Sequence, residues 1–310
     1  MFSNIQITQE DNRFVFMRSE TQAGLSGNGK SCIAWNKPPG IIGLNILCIG
    51  GGGSGGYAST VTVGTKAGAG GGASGSITSV SILSRFLPET LYVRVGRGGP
   101  SELASGQDSL VTIVAPDGNN YSPYYTVALA YGGAVGGSTT SVGEVRGLGG
   151  TATIAPTILD MPLASYGTYS MVNGKAGANG GQLSTGFSSL VLSNNILSGG
   201  AGGGSASSAG VLYAPGITKV NQDVFDSDTI RLPVISSSPS LVDGNGTTLF
   251  KPIFCSFGGS GGNASHTGNA SAAGKGGIGC GGGGGASAET PFSAGAGGAG
   301  GDGLVIISCW

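Results

Sequence analysis

The sequence predicts an all-β protein in which the strands of a β-sandwich are combined with a bundle of polyglycine II-type helices, with little or no α-helix. Three observations predict it. Glycine accounts for 65 of 310 residues, where a share of roughly 7% is usual. Hydrophobic residues still make up 39% of the chain, whereas chains that stay unfolded are poor in apolar residues and highly charged. The apolar residues fall in short runs bounded by Gly or Pro, and no amphipathic helical period of any length emerges. Collagen is excluded, because the chain has 13 prolines and no continuous Gly-X-Y register.

In chain order, residues 1–34 have the most ordinary composition, carry a candidate strand at 13–17, and are expected to dock onto another protein. Residues 35–310 are expected to form one glycine-rich domain. Its candidate strands are 41–49, 76–82, 91–95, 110–115 and 126–131. In the run LYVRV, alternation puts Leu91, Val93 and Val95 on one face and Tyr92 and Arg94 on the other. Glycine tracts at 50–56, 68–75, 132–137, 147–150, 174–181, 199–204, 258–262 and 274–303 recur along the whole chain, which is not how a linker is distributed. Glycine-poor inserts near 117–125, 151–172 and 211–257 separate them.

Ordering glycine costs about 0.5–1 kcal/mol more per residue than ordering alanine, so the tracts must gain something that side chains would block. An extended helix of three residues per turn has no internal hydrogen bonds. Without side chains, such helices can approach until each N–H meets a carbonyl of a neighbour. The few Ala, Ser and Asn residues within the tracts are expected to face the surface or a sheet.

Charge excludes several function classes. Lys and Arg number 14 and Asp and Glu 15, for a net charge of -1, so no footprint for nucleic acid or an anionic membrane is present. With one histidine, His266, lying in sequence among Gly, Asn and Ser, the chain has little material for acid–base chemistry. No catalytic residue, metal site or cofactor is expected. The longest apolar run, 41–49, is interrupted by Gly43 and Asn45 and is shorter than the roughly 20 residues of a membrane span, so no membrane insertion is expected. The N-terminus lacks the pattern of a secretory signal. Cys32, Cys48, Cys255, Cys280 and Cys309 show no CxxC spacing and read as small hydrophobes made in a reducing cytoplasm.

One segment matches the phosphate-binding pattern GxxxxGK[ST], with Gly24, Gly29, Lys30 and Ser31 at its defining positions. That pattern works only between a strand and a helix. Here the preceding strand ends too early and Pro38-Pro39-Gly40 stops any helix after it, so the match reads as a polar turn. Sequons at Asn245, Asn263 and Asn269 are chance matches in a Ser- and Asn-rich chain. Tyrosines gather in the inserts, at Tyr121, Tyr124, Tyr125, Tyr166, Tyr169 and Tyr213, with Phe225 in the last insert. Tyrosine dominates many recognition loops but also packs at strand edges, so binding and packing both stand open for them.

The order of these segments resembles a known family. Trp35-Asn36-Lys37-Pro38-Pro39-Gly40 precedes the strand IIGLNILCIG, which runs into GGGSGG; GAGGGASGSITSVSI and LYVRVGRGG follow, and the chain closes with GAGGAGGDGLVIISCW. This resembles the glycine-rich domain of bacteriophage tail fibres, tail-tip adhesins and related virion structural proteins. The resemblance implies a virion component, made in the host cytoplasm, whose polyglycine helices stack beside a β-sandwich. It implies residues 1–34 as the contact to other virion proteins and the inserts as contacts to a host surface receptor, a glycan or an outer-membrane protein. A capsid decoration or head-fibre protein, an extracellular glycine-rich module and a homo-oligomer remain open alternatives. The closing strand 304–310 is expected to lie beside 42–49.

Overall fold

The computed structural model describes residues 5–10, 12–18, 32–60, 67–100, 103–116, 121–139, 147–181, 190–192, 197–206, 212–213, 215–216, 218–220, 248–249 and 255–310. Sixteen strands occur among them: β1 (Ile5–Glu10), β2 (Arg13–Arg18), β3 (Cys32–Asn36), β4 (Gly43–Ile49), β5 (Ile77–Leu83), β6 (Thr90–Arg94), β7 (Ser109–Thr112), β8 (Thr126–Ala130), β9 (Gly167–Val172), β10 (Leu190–Leu192), β11 (Ser205–Ala206), β12 (Leu212–Tyr213), β13 (Thr218–Val220), β14 (Thr248–Leu249), β15 (Cys255–Ser256) and β16 (Leu304–Cys309). The helical elements described are 3-10 turns of three to five residues.

Two antiparallel sheets form the sandwich. One runs β1-β2-β16-β4-β5-β9 and the other β3-β6-β7-β8. The expected neighbours at the two ends of the domain do pair: Leu304 lies opposite Ile49 and Cys309 opposite Leu44. The inner faces follow the period-2 rule. Leu44, Ile46 and Cys48 of β4 alternate inward, Val80 and Ile82 of β5 join them, and all are buried against Leu91, Val93 and Val95. The β1–β2 hairpin belongs to the same sheet, with Val305 opposite Phe16 and both Phe14 and Phe16 in the core. Part of the segment read as a separate dock is thus built into the sandwich. Its outer face meets a second, smaller core, where Ile49, Ile77, Leu304 and Ile306 pack against Leu197 and Cys280 from glycine-rich segments.

The glycine tracts leave the sandwich from one end. Tracts 50–58, 131–139 and 174–181 continue β4, β8 and β9, while 67–76 and 295–303 lead into β5 and β16. They carry neither strand nor α-helix, yet every backbone N–H from 68 to 76 donates to a neighbouring tract. Gly68, Gly71 and Ser74 donate to Gly181, Ala178 and Lys175; Ala69, Gly72 and Gly75 donate to Gly285, Gly282 and Gly279; Gly70, Ala73 and Ser76 donate to Gly137, Ala134 and Tyr131. These bonds measure 2.8 to 3.2 Å. The carbonyls of the same tract accept from Gly147 and Gly150, from Gly200 and Gly203, and from Gly50, Gly53 and Gly56. Every third residue therefore addresses the same neighbour, and the tract is surrounded by others on all sides.

Close approach explains the composition. A Cβ on Gly71 would collide with the Gly200 carbonyl, and one on Gly55 with that of Gly283. The expectation for the small residues holds at the rim, where Ala176 and Ala272 are exposed, and fails inside. Ala69, Ala73 and Ala201 are fully buried within the bundle, and the Ser54 hydroxyl accepts from the Ala104 N–H at 3.0 Å. A methyl or hydroxyl fits wherever the neighbouring tract turns its carbonyl away.

Candidate functional site

The tyrosines named from the sequence divide into a packed group and an exposed group. Tyr121 is half-buried; its hydroxyl donates to Asp108 Oδ2 at 3.2 Å and its ring centre lies 5.5 Å from the guanidinium of Arg94. Asp108 Oδ1 accepts from the Gly132 N–H at 3.0 Å, which ties this cluster to the start of a glycine tract. Burial, reinforced by Asp108, holds the Tyr121 hydroxyl well above its ordinary range. Burial also lowers the pKa of Arg94, and the Asp108 carboxylate opposes that shift. The neighbouring Tyr131 is pushed up to about 12, first by burial and then by the charge of and hydrogen bond to Asp160. This is a structural polar cluster on the outer side of the four-stranded sheet, and sequence spacing alone carried no sign of it.

The exposed group sits at the end of the sandwich opposite the glycine bundle. Tyr124 and Tyr125 lie in the 3-10 turn Pro123–Tyr125 and Tyr166 ends the turn Pro162–Tyr166; these two turns and Ile158–Asp160 pack on one another. Tyr124 is 77% exposed and Tyr166 58%. Tyr166 stacks on Phe86 with ring centres 5.4 Å apart, and Arg85 lies 4.9 Å from the Phe86 ring centre. Ile42 and Leu159 are also exposed, so apolar side chains lie open here beside the charged groups Arg85, Lys37 and Glu89. Patches of this kind mark contact sites. Ile42 stands in the run 41–49 that reads as a strand, whereas Phe86 and Leu159 lie outside the candidate strands and nothing in their spacing marks them as exposed.

Tyr169 is exposed on β9. Tyr213 belongs to β12, which pairs with β11, while Phe225 lies outside the described residues. The insert 151–172 is more than a loop. Met161 and Ala164 are fully buried, the Met161 sulfur accepts from the Leu129 N–H at 3.2 Å, and β9 completes the six-stranded sheet. Gly24, Gly29, Lys30 and Ser31 also lie outside the described residues, but Ser31 is followed at once by strand β3 where a phosphate loop needs a helix.

His266 has a partner that its sequence neighbours did not reveal. Its Nδ1 lies 2.9 Å from Glu289 Oε2 across two loops, which are also joined by the bridge between Ser265 and Ala288. Among the described residues no three His, Cys, Asp or Glu side chains are grouped to hold a metal ion. None of the described helical elements is long and apolar enough to cross a membrane. Cys48 and Cys280 are buried and Cys32 and Cys309 half-buried, and burial pushes the Cys48 and Cys309 thiols up.

Comparison with curated proteins gives no match. A family model described as a glycine-rich domain matches residues 26–310, from before β3 through the closing strand. The chain belongs to this glycine-rich domain family.

Proposed function

We propose that the chain is a structural protein of a bacteriophage particle, a tail fibre or tail-tip receptor-binding protein that holds recognition loops on a rigid glycine-rich frame. The frame consists of polyglycine II helices, and the observation that carries the reading is the three-residue period of the bonds between tracts. Such a bundle exposes few unpaired backbone groups and resists proteases and shear outside a cell. The inserts supply recognition surface. Tyr124, Tyr125 and Tyr166 present aromatic area there at low entropic cost. The mechanism is adhesion, in which weak contacts gain from repetition on the particle, and it involves no reaction, cofactor or nucleic acid. Residues 1–34 contact other virion proteins, and the receptor is a glycan or an outer-membrane protein.

Immunogold labelling of purified particles with antibody against the recombinant chain tests this reading. Label at the tail tip or fibre ends is the expected result. Label over the head makes the chain a decoration protein, and absence of label from every particle overturns the virion assignment. Deletion within 211–257 should leave assembly intact and abolish host binding; retained infectivity with a weakened capsid would favour decoration instead.

A further inference from the structure

Sheet edges expose unpaired backbone groups and are usually blunted by charge, proline, a bulge or a covering element. The two sheets treat their edges differently. In the four-stranded sheet, β8 is buried along its whole length. The Leu129 N–H is taken by the Met161 sulfur, the Leu129 carbonyl accepts from the Thr78 hydroxyl at 2.6 Å, and the Tyr131 N–H is taken by the Ser76 hydroxyl at 2.8 Å. In the six-stranded sheet, β9 has none of these protections. Its six pairs with β5 run unbroken from Gly167 opposite Ile82 to Val172 opposite Ile77, so no bulge interrupts it. The sequence GTYSMV contains neither charge nor proline. Thr168, Tyr169, Ser170 and Val172 are exposed, and among the described residues no backbone group beyond β5 bonds to 168–172.

We infer that β9 is a dimerisation edge, which takes β9 of a second copy of this chain in antiparallel pairing and joins the two six-stranded sheets into one. The case for self-pairing is the sequence of the strand. With Ser170 on the two-fold axis, Ser170 faces Ser170 of the second copy, Tyr169 faces Met171, and Thr168 faces Val172. Tyr169 and Met171 lie opposite Val80 and Thr78, and so share the core-facing side of the sheet. Their cross-strand pairs place a thioether against an aromatic ring twice per dimer. The other side carries a hydroxyl pair flanked by two contacts between β-branched residues. No like charges meet anywhere along the edge, and the contact is isologous, so it closes at two copies and does not propagate. The inference stands apart from the virion reading.

Sedimentation equilibrium of the full chain tests it. The expected result is a weight-average mass that rises with concentration to twice that of the chain. Ser170→Lys sets two ammonium groups opposite each other on the axis and should weaken association about fivefold, while Ser170→Thr should preserve it. Both variants are to be checked for an unchanged circular dichroism spectrum and thermal midpoint, since Ser170 is exposed and its side chain supports no contact in the core. A wild-type chain that stays monomeric at every concentration overturns the inference and leaves the edge to a foreign strand. A dimer indifferent to Ser170→Lys, with the variant folded, overturns it as well.

Discussion

A single Cβ decides whether a tract can lie in the bundle. Gly71→Ala places a methyl group against the Gly200 carbonyl, which belongs to a backbone that is itself bonded and cannot swing away. The expected cost is about 1–3 kcal/mol, measured as a lower urea midpoint. Gly268 is the control: among the described residues its added Cβ meets just Ser265 Oγ, at 3.7 Å, so Gly268→Ala should change stability by less than about 0.5 kcal/mol. Tyr131 makes a second prediction. Its pKa in the folded state, about 12, lies above the ordinary value of 10.0, so the fold favours the protonated phenol. That stabilisation is complete below pH 10 and is lost as pH rises through about 12. Alkaline titration followed by circular dichroism should show stability falling across this window, and Tyr131→Phe should flatten the fall.

At the scale of elements, strands were legible in the sequence and their neighbours only in part. The runs at 41–49, 76–82 and 126–131 each match an observed strand to within two residues at either end, because β-branched and aliphatic residues cluster there between glycine-rich or polar stretches. The expected proximity of 42–49 and 304–310 is met by the pairing of β4 with β16. β9 escaped notice, since GTYSMV lacks strict alternation and sits at an edge where one side is open to solvent. The composition of its insert reads as a loop for the same reason. Met161 shows the consequence: it covers the β8 edge and is fully buried. Met161→Ala should cost about 2–5 kcal/mol, observed in chemical denaturation. A cost near zero would mean that this insert is the detachable loop its composition suggested.

For the whole molecule, the bundle and the sandwich should behave as one cooperative body, because every tract that leaves a strand is bonded to tracts that return to others. Hydrogen exchange tests this directly. Amides from 68 to 76 should exchange only through global opening, as slowly as those of β4 and β16, although they belong to no helix or strand. Fast exchange there would mean that the tracts are held far more loosely than their bonds imply. Composition and the short apolar runs by themselves determined the class of this protein: apolar residues enough for a core, bounded by glycine and with charge at 9%, give an all-β chain without long helices, and glycine at this density favours backbone-to-backbone packing beside it. The tertiary structure alone decided which tract meets which, that tyrosines alike in sequence split between a buried cluster and an open end, and that His266 finds Glu289. The reason is physical. Glycine tracts are nearly identical in chemistry and hold no local record of their neighbours, so their order in the bundle is set by the strands that launch and receive them.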